Sequence, residues 1–362
     1  MVHAGPDPFL VHGLTVSYFT RKVTGYLDHV GTPWRLAPSI GANPVAREHG
    51  WNGGIPVVER PDGELLWDST AVIEHLDHHQ DRPELGVLPE DPTLRFLVHV
   101  LDDFSDEWFY RHAVGTRWLV DENRVTGSWD IAREGSREID APIDAVRDFV
   151  SGAMTDCLPR LGTSAENLDG WVQGSLVPWQ QALDAHLADH RFVLGDRASL
   201  ADFAFFGGNA AHFVNDPWCR RLTESVAPRV LAMTHRMMDP ATQPEPGEWL
   251  DAAALPDTAI ALLAEAGRHY LPWVAKATVD GSATVDFGDG CTAEIATTNF
   301  LTEARGILLA RYVEARSPQL DAILEQAGIV QHYADHVDQA TAVPDPAPLP
   351  RPTDNRPYPA GP

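Results

Sequence analysis

Short apolar runs and helical periodicities alternate over the first eighty residues, helical periodicity alone follows from about residue 92, and a mixture returns after Pro240. The run "PFLVHG" predicts a short strand. The stretch "SYFTRKVTGYLDHVG" places Phe19, Val23, Tyr26, Leu27 and Val30 at helical spacing, with Gly31 as a stop. A second strand is predicted in "PWRLAPS", and "IPVVER-PDG-ELLWD" reads as two strands joined by a Pro-Asp-Gly turn. "STAVIEHLDHH" reads as a helix capped by Ser69. The order β-α-β-(short helix)-β-β-α predicts a small α/β layer fold over residues 1–85.

"DRPELGVLPEDP" is a linker by its Pro and charge content. An all-helical domain is expected over 92–240. It opens with one long helix, "PTLRFLVHVLDDFSDEWFYRHAVGTRWLV", in which Gly115 marks a bend or a close approach. Residues 121–165 are more polar and irregular in pattern. "LVPWQQALDAHLADH" is a further helix, and Ser199 and Asp202 form an S-x-x-D capping pattern ahead of an apolar one. The segment 241–340 reads as an extension of helices around a hairpin at Asp289-Gly290, and 343–362 as a Pro-rich disordered tail.

A length of 362 residues exceeds one compact core. The net charge of −25 argues against nucleic acid and anionic membrane as principal partners. The three cysteines, Cys157, Cys219 and Cys291, form no CxxC pair, so neither a disulfide scaffold nor a cysteine zinc site is expected. His75 and His79 stand at i, i+4, but no HExxH accompanies them and no metal is expected. No secretory or membrane-spanning pattern is evident, which makes a cytoplasmic protein the expectation.

The chemistry concentrates between Ile55 and Ser69. A cis Ile55-Pro56 bond would turn the backbone of Val57 outward to pair with an extended peptide ligand. Beside it, the helix N-terminus at Ser69 suits a carboxylate and Asp68 an ammonium group. One stretch would hold a peptide backbone and an α-amino acid head group.

With "LTVSYFTRKV" as a first strand-to-helix turn, "IPVV", "DSTAVIEHL", and "FVLGDRASLADFAFFG" in the helical region, the chain resembles the glutathione S-transferase family of the serine type. The match covers roughly residues 8–85 and 170–235, in the family's order and spacing. The resemblance implies a thioredoxin-like N-terminal domain, an all-helical bundle after it, and glutathione as cosubstrate. Ser17 would be the catalytic residue, stabilising the thiolate by hydrogen bond and helix dipole. Tyr18, Thr20, Arg21, Ile55, Pro56, Val57, Asp68 and Ser69 would bind the thiol. Thr20 stands where a CxxC turn has its second thiol, which disfavours thiol-disulfide exchange.

The resemblance also implies a small-molecule electrophile between the domains and a homodimer. Trp108, Arg111, His112 and Gly115 share one face of the long helix, with Arg117 and Trp118 one turn on. That wall suits a flat apolar electrophile bearing a negative group. Two positions depart from the family: Asp68 replaces Glu or Gln, and Gly54 stands where many members carry Lys. Arg47, Trp51 or Asn52 would substitute for that Lys, or the thiol would be a molecule other than glutathione. The alternative is a non-catalytic binding protein of the same fold.

Overall fold

In the computed structural model, which describes residues 7–40, 44–48, 54–137, 140–239 and 247–343, the N-terminal sheet has four strands in the order β2-β1-β3-β4. Strand β1 (Phe9–Gly13) pairs in parallel with β2 (Trp34–Pro38) and antiparallel with β3 (Val57–Glu59), which pairs antiparallel with β4 (Leu65–Trp67). Helix α1 (Tyr18–Val30) begins after Ser17 and ends at Gly31, whose φ of 72° is the left-handed conformation open to glycine. The short α2 (Pro44–Glu48) follows, and α3 (Ser69–His78) closes the unit. The β3–β4 turn is fastened by Gly63 N–H to Arg60 O at 2.8 Å.

The register aligns His12, Val57 and Trp67 across three strands. The turn after β1, the Ile55-Pro56 peptide before β3, and Asp68-Ser69 after β4 therefore gather at one end of the sheet.

Helix α4 (Pro92–Phe104) runs through a π-turn, Ser105–Phe109, into α5 (Tyr110–Leu119). Gly115 marks a close approach, since a Cβ there would lie 3.1 Å from Thr163 Cγ2. Residues 121–157, polar and irregular in pattern within the expected all-helical domain, form α6 (Asp121–Gly135) and α7 (Ile143–Cys157). The periodicity is weak because α6 buries Asn123, Gly127, Ser128, Ala132 and Gly135, which carry little apolar signal. Helix α8 (Val177–His186) precedes α9 (Leu200–Gly208), α10 (Pro217–Val226) and α11 (Pro228–Met238). Helix α9 is buried on all sides and starts in a complete capping box. Ser199 N–H and Oγ donate to Asp202 Oδ2 at 2.8 and 2.7 Å, and Val193 N–H donates to Oδ1 at 2.9 Å. Helix α1 packs on α9 closely enough that a Cβ on Gly207 would come 2.5 Å from Tyr18 O.

The extension contains α12 (Asp257–Arg268), α13 (Tyr270–Asp280), β5 (Ser282–Gly288) paired with β6 (Cys291–Ala296), α14 (Asn299–Ala315), α15 (Pro318–Gln326) and α16 (Gln331–Ala334). It packs against α4 and α8, so one apolar cluster runs from Val11 in the sheet through Phe104 to Tyr333. A separate cluster of Val114, Trp118, Ala132, Val146, Val150, Leu158 and Leu161 joins α5 to the α6–α7 pair. Among the described residues no helix is long and apolar enough to cross a membrane. Trp51, Asn52 and positions 344–362 of the Pro-rich stretch lie outside the described residues.

Candidate functional site

The turn between β1 and α1 is held from several sides. Ser17 has extended backbone (φ −89°, ψ 132°), and its Oγ accepts from Thr20 N–H at 3.4 Å. As an N-cap it sits among the unsatisfied N–H groups of the first helical turn. Its own hydroxyl proton remains to donate to an anion. Thr15 N–H donates to Glu134 Oε2 at 2.7 Å, its hydroxyl donates to Glu134 Oε1, and Arg21 Nε donates to Thr15 O at 2.7 Å. Arg117 Nη1 donates to Val16 O at 2.8 Å, and Nε donates to buried Asp216 Oδ2 at 2.8 Å. The Arg117 guanidinium helps hold the Asp216 carboxyl below the usual range, against the desolvation that raises it.

Two expected thiol contacts on this turn do not hold for the side chains. Tyr18 is buried, and its hydroxyl meets Ser105 O at 3.0 Å and Ser105 Oγ at 2.6 Å, inside the contact between the sheet unit and the helices. Thr20 is 1% exposed and faces Gly13, where a Cβ would lie 2.4 Å from its Oγ1. Helical periodicity sends both inward from a turn whose surface residue is Ser17. Arg21 is half-buried and spent on the Thr15 carbonyl.

The Ile55-Pro56 peptide is cis. Val57 does not turn outward. Its side chain is fully buried with Ala46 and Trp67, and its backbone lies in the ladder between β1 and β4. Ile55, half-buried and just outside the ladder, stands before the strand. The cap of α3 is Asp68, not Ser69: Asp68 Oδ1 accepts from Ala71 N–H at 3.3 Å, and Ser69 is the first helical residue. Asp68 takes a φ of 67°, the left-handed region that non-glycine residues seldom adopt.

Behind this edge lies a buried ionic cluster absent from the expected set. Lys22 Nζ donates to Thr70 Oγ1 at 2.7 Å, Asp102 Oδ1 at 2.7 Å and Asp106 Oδ2 at 2.5 Å. Thr70 Oγ1 donates to Asp102 Oδ2 at 2.9 Å. Burial raises the Asp106 carboxyl to about 7, against the pull of Lys22, and the charge of Asp68 adds to the rise. The sequence signal was a lysine on the buried face of α1 between Tyr18 and Tyr26, four residues from each. Such a residue demands counter-ions.

The expected electrophile wall is not a surface. Trp108, Arg111, His112 and Trp118 are 1%, 5%, 2% and 2% exposed. Trp108 lies against Trp171 and Trp273 with ring centroids at 4.7 and 5.6 Å, and its Nε1–H donates to Ser175 Oγ at 2.9 Å. Arg111 stacks on Trp273 at 4.6 Å and donates to Leu161 O at 2.9 Å. Burial pushes His112 down to about 3, so it is neutral. Trp118 belongs to the smaller cluster. The extension and the α6–α7 pair cover these side chains. Phe19, two residues after Ser17, and Tyr110 are half-buried, with ring centroids 5.0 Å apart. Tyr110 touches both apolar clusters. Among the described residues no group of three or more His, Cys, Asp or Glu could hold a metal ion.

The sheet, the cis peptide and the capped α3 are accompanied by a sequence match. Residues 16–79 fit the family described as "Glutathione S-transferase, N-terminal domain". The fold of the chain is a thioredoxin-like mixed sheet followed by a helical region. Solved structures similar to it include glutathione S-transferases from Pseudomonas fluorescens Pf-5 (18% identity, 68% of this chain and 100% of that one, TM-score 0.34) and Rhodospirillum rubrum F11 (19%, 69% and 97%, 0.41). A third, from Methylobacterium radiotolerans, is in complex with glutathione sulfonate (20%, 69% and 100%, 0.35). No curated protein matches the chain.

Proposed function

We propose that the chain binds glutathione, or a thiol with the same α-amino acid head group, and activates its sulfur for attack on a small apolar electrophile. The observation that carries this is the meeting of Ser17, Ile55-Pro56 and Asp68-Ser69 at one end of the sheet. The first N–H groups of α3 offer a carboxylate site, and Asp68 faces the ammonium beside it. Ile55 offers backbone groups to the peptide portion. The Ser17 hydroxyl donates to the sulfur at the positive end of α1, favouring thiolate over thiol. The thiolate's electron pair then forms the C–S bond to the electrophilic carbon over the Phe19–Tyr110 pair. The bond from that carbon to its leaving group breaks, and the leaving group departs with the bonding pair; Ser17 takes no part in covalent chemistry. With Arg111 and Arg117 buried, the electrophile is neutral and apolar, not anionic.

Calorimetric titration with reduced glutathione and S-hexylglutathione tests the reading, and one site per chain is expected. Ser17→Ala should lower turnover on the order of 10²-fold and raise the pKa of the bound thiol, with affinity little changed. Unchanged turnover would reduce Ser17 to a helix cap. Ser69→Ala should mainly weaken thiol binding, and unaltered affinity would remove the head-group assignment.

A further inference from the structure

Arg311 ties the extension to α3. Placed on α14, it donates from Nη1 to Glu74 Oε1 at 2.6 Å and from Nη2 to Glu74 Oε2 at 2.9 Å. This is the two-pronged geometry of a guanidinium on a carboxylate, and both side chains are largely buried. Nη1 also lies 2.8 Å from Nδ1 of His99 on α4. Burial and the Arg311 charge hold His99 well below its ordinary range, so the ring is a neutral acceptor. A second fastening sits nearby, where the Tyr270 hydroxyl of α13 donates to Asp103.

Glu74 lies one helical turn after Thr70, whose hydroxyl is bonded to Lys22 and Asp102. His99, Asp102, Asp103 and Asp106 fall at i, i+3, i+4 and i+7 of the helix facing α3. Lys22 answers Asp102 and Asp106 from one flank, and Arg311 answers Glu74 from the other. Burial raises the Asp102 carboxyl against the pull of Lys22, and the charge of Glu74 adds to the rise. Without Arg311, Glu74, Asp102 and Asp106 would face each other across the α3–α4 contact with Lys22 as the cation between them. Repulsion would then push α3 off α4, and the N-terminus of α3 is where Asp68 and Ser69 stand.

We propose that Arg311 is a positioning residue for the thiol site: the extension fixes the head-group end of α3 through the Arg311–Glu74 pair. The inference rests on the proposed thiol-binding reading. It gives the extension a part in ligand affinity without any contact to the ligand.

Titration of the full chain with reduced glutathione, comparing wild type with Arg311→Lys and Arg311→Met, tests it. Arg311→Met should raise Kd about tenfold, and Arg311→Lys should fall between, keeping the charge but losing the fork. Turnover at saturating thiol should change less than affinity. The double variant Arg311→Met with Glu74→Gln removes the unpaired carboxylate and should recover much of the affinity. A lowered urea midpoint in Arg311→Met with Kd unchanged would make the pair merely structural and overturn the proposal. Failure of the wild type itself to bind glutathione would overturn the thiol-binding reading, and this inference with it. Wild-type binding with equal Kd in all variants would remove this inference alone.

Discussion

Lys22→Met is expected to lower the unfolding free energy by about 3–5 kcal/mol, because it leaves two buried carboxylates facing each other without their cation. Lys22 is fully buried and its ammonium is shared by Asp102, Asp106 and Thr70. Those acids raise its pKa well above the ordinary lysine range, so it stays charged throughout the accessible range. The loss should depend on pH. Asp106 sits at about 7 when folded, above an unfolded value of about 3.9. The folded state therefore holds a proton that the unfolded chain has released, and this contribution is present in full at low pH and lost as pH rises through 7. Removing Lys22 takes away the main influence that lowers Asp106 and raises its pKa further. The variant should suffer more at pH 8.5 than at pH 5.5. Urea melts of both proteins at the two pH values check this. An equal loss at both would reduce Lys22 to a packing residue.

This cluster also marks how far the sequence could be read. Strands, the Pro-Asp-Gly turn, the Gly31 stop and the Ser199–Asp202 box are local, and local rules reach them. The lysine on the buried face of α1 was visible, but its partners lie 80 and 84 residues away. Periodicity also put Trp108, Arg111 and His112 on one face, yet it says nothing of what covers that face. Here it is covered by Trp171, Trp273 and Phe287, from the helical region and the extension. An aromatic stripe reads alike whether it lines a cleft or a core. Asp68 displaced Ser69 as the cap by one position, a shift within the reach of an Asx side chain that either residue could satisfy. In α6 the difficulty was the reverse, since small residues allow close packing and leave no apolar rhythm.

Arg117→Met should separate folding from positioning. Arg117 and Asp216 are buried together, and the same guanidinium donates to the carbonyl of Val16, the residue before Ser17. The single variant leaves the buried Asp216 carboxylate without its guanidinium, at a cost of about 3–5 kcal/mol. It also frees the Val16 carbonyl, so on the proposed thiol-binding reading the Ser17 hydroxyl would shift relative to the sulfur it holds. A displacement on the order of 1 Å is enough to cost roughly 10²-fold in turnover. The double variant Arg117→Met with Asp216→Leu replaces the pair by apolar groups and should regain most of the stability. It does not restore a donor to Val16. Its turnover should therefore stay depressed, and the pKa of bound glutathione should stay raised, while its urea midpoint approaches that of the wild type. Recovery of turnover together with stability would show that Ser17 is placed by the rest of the turn, through Glu134 and Thr15, and owes nothing to Arg117.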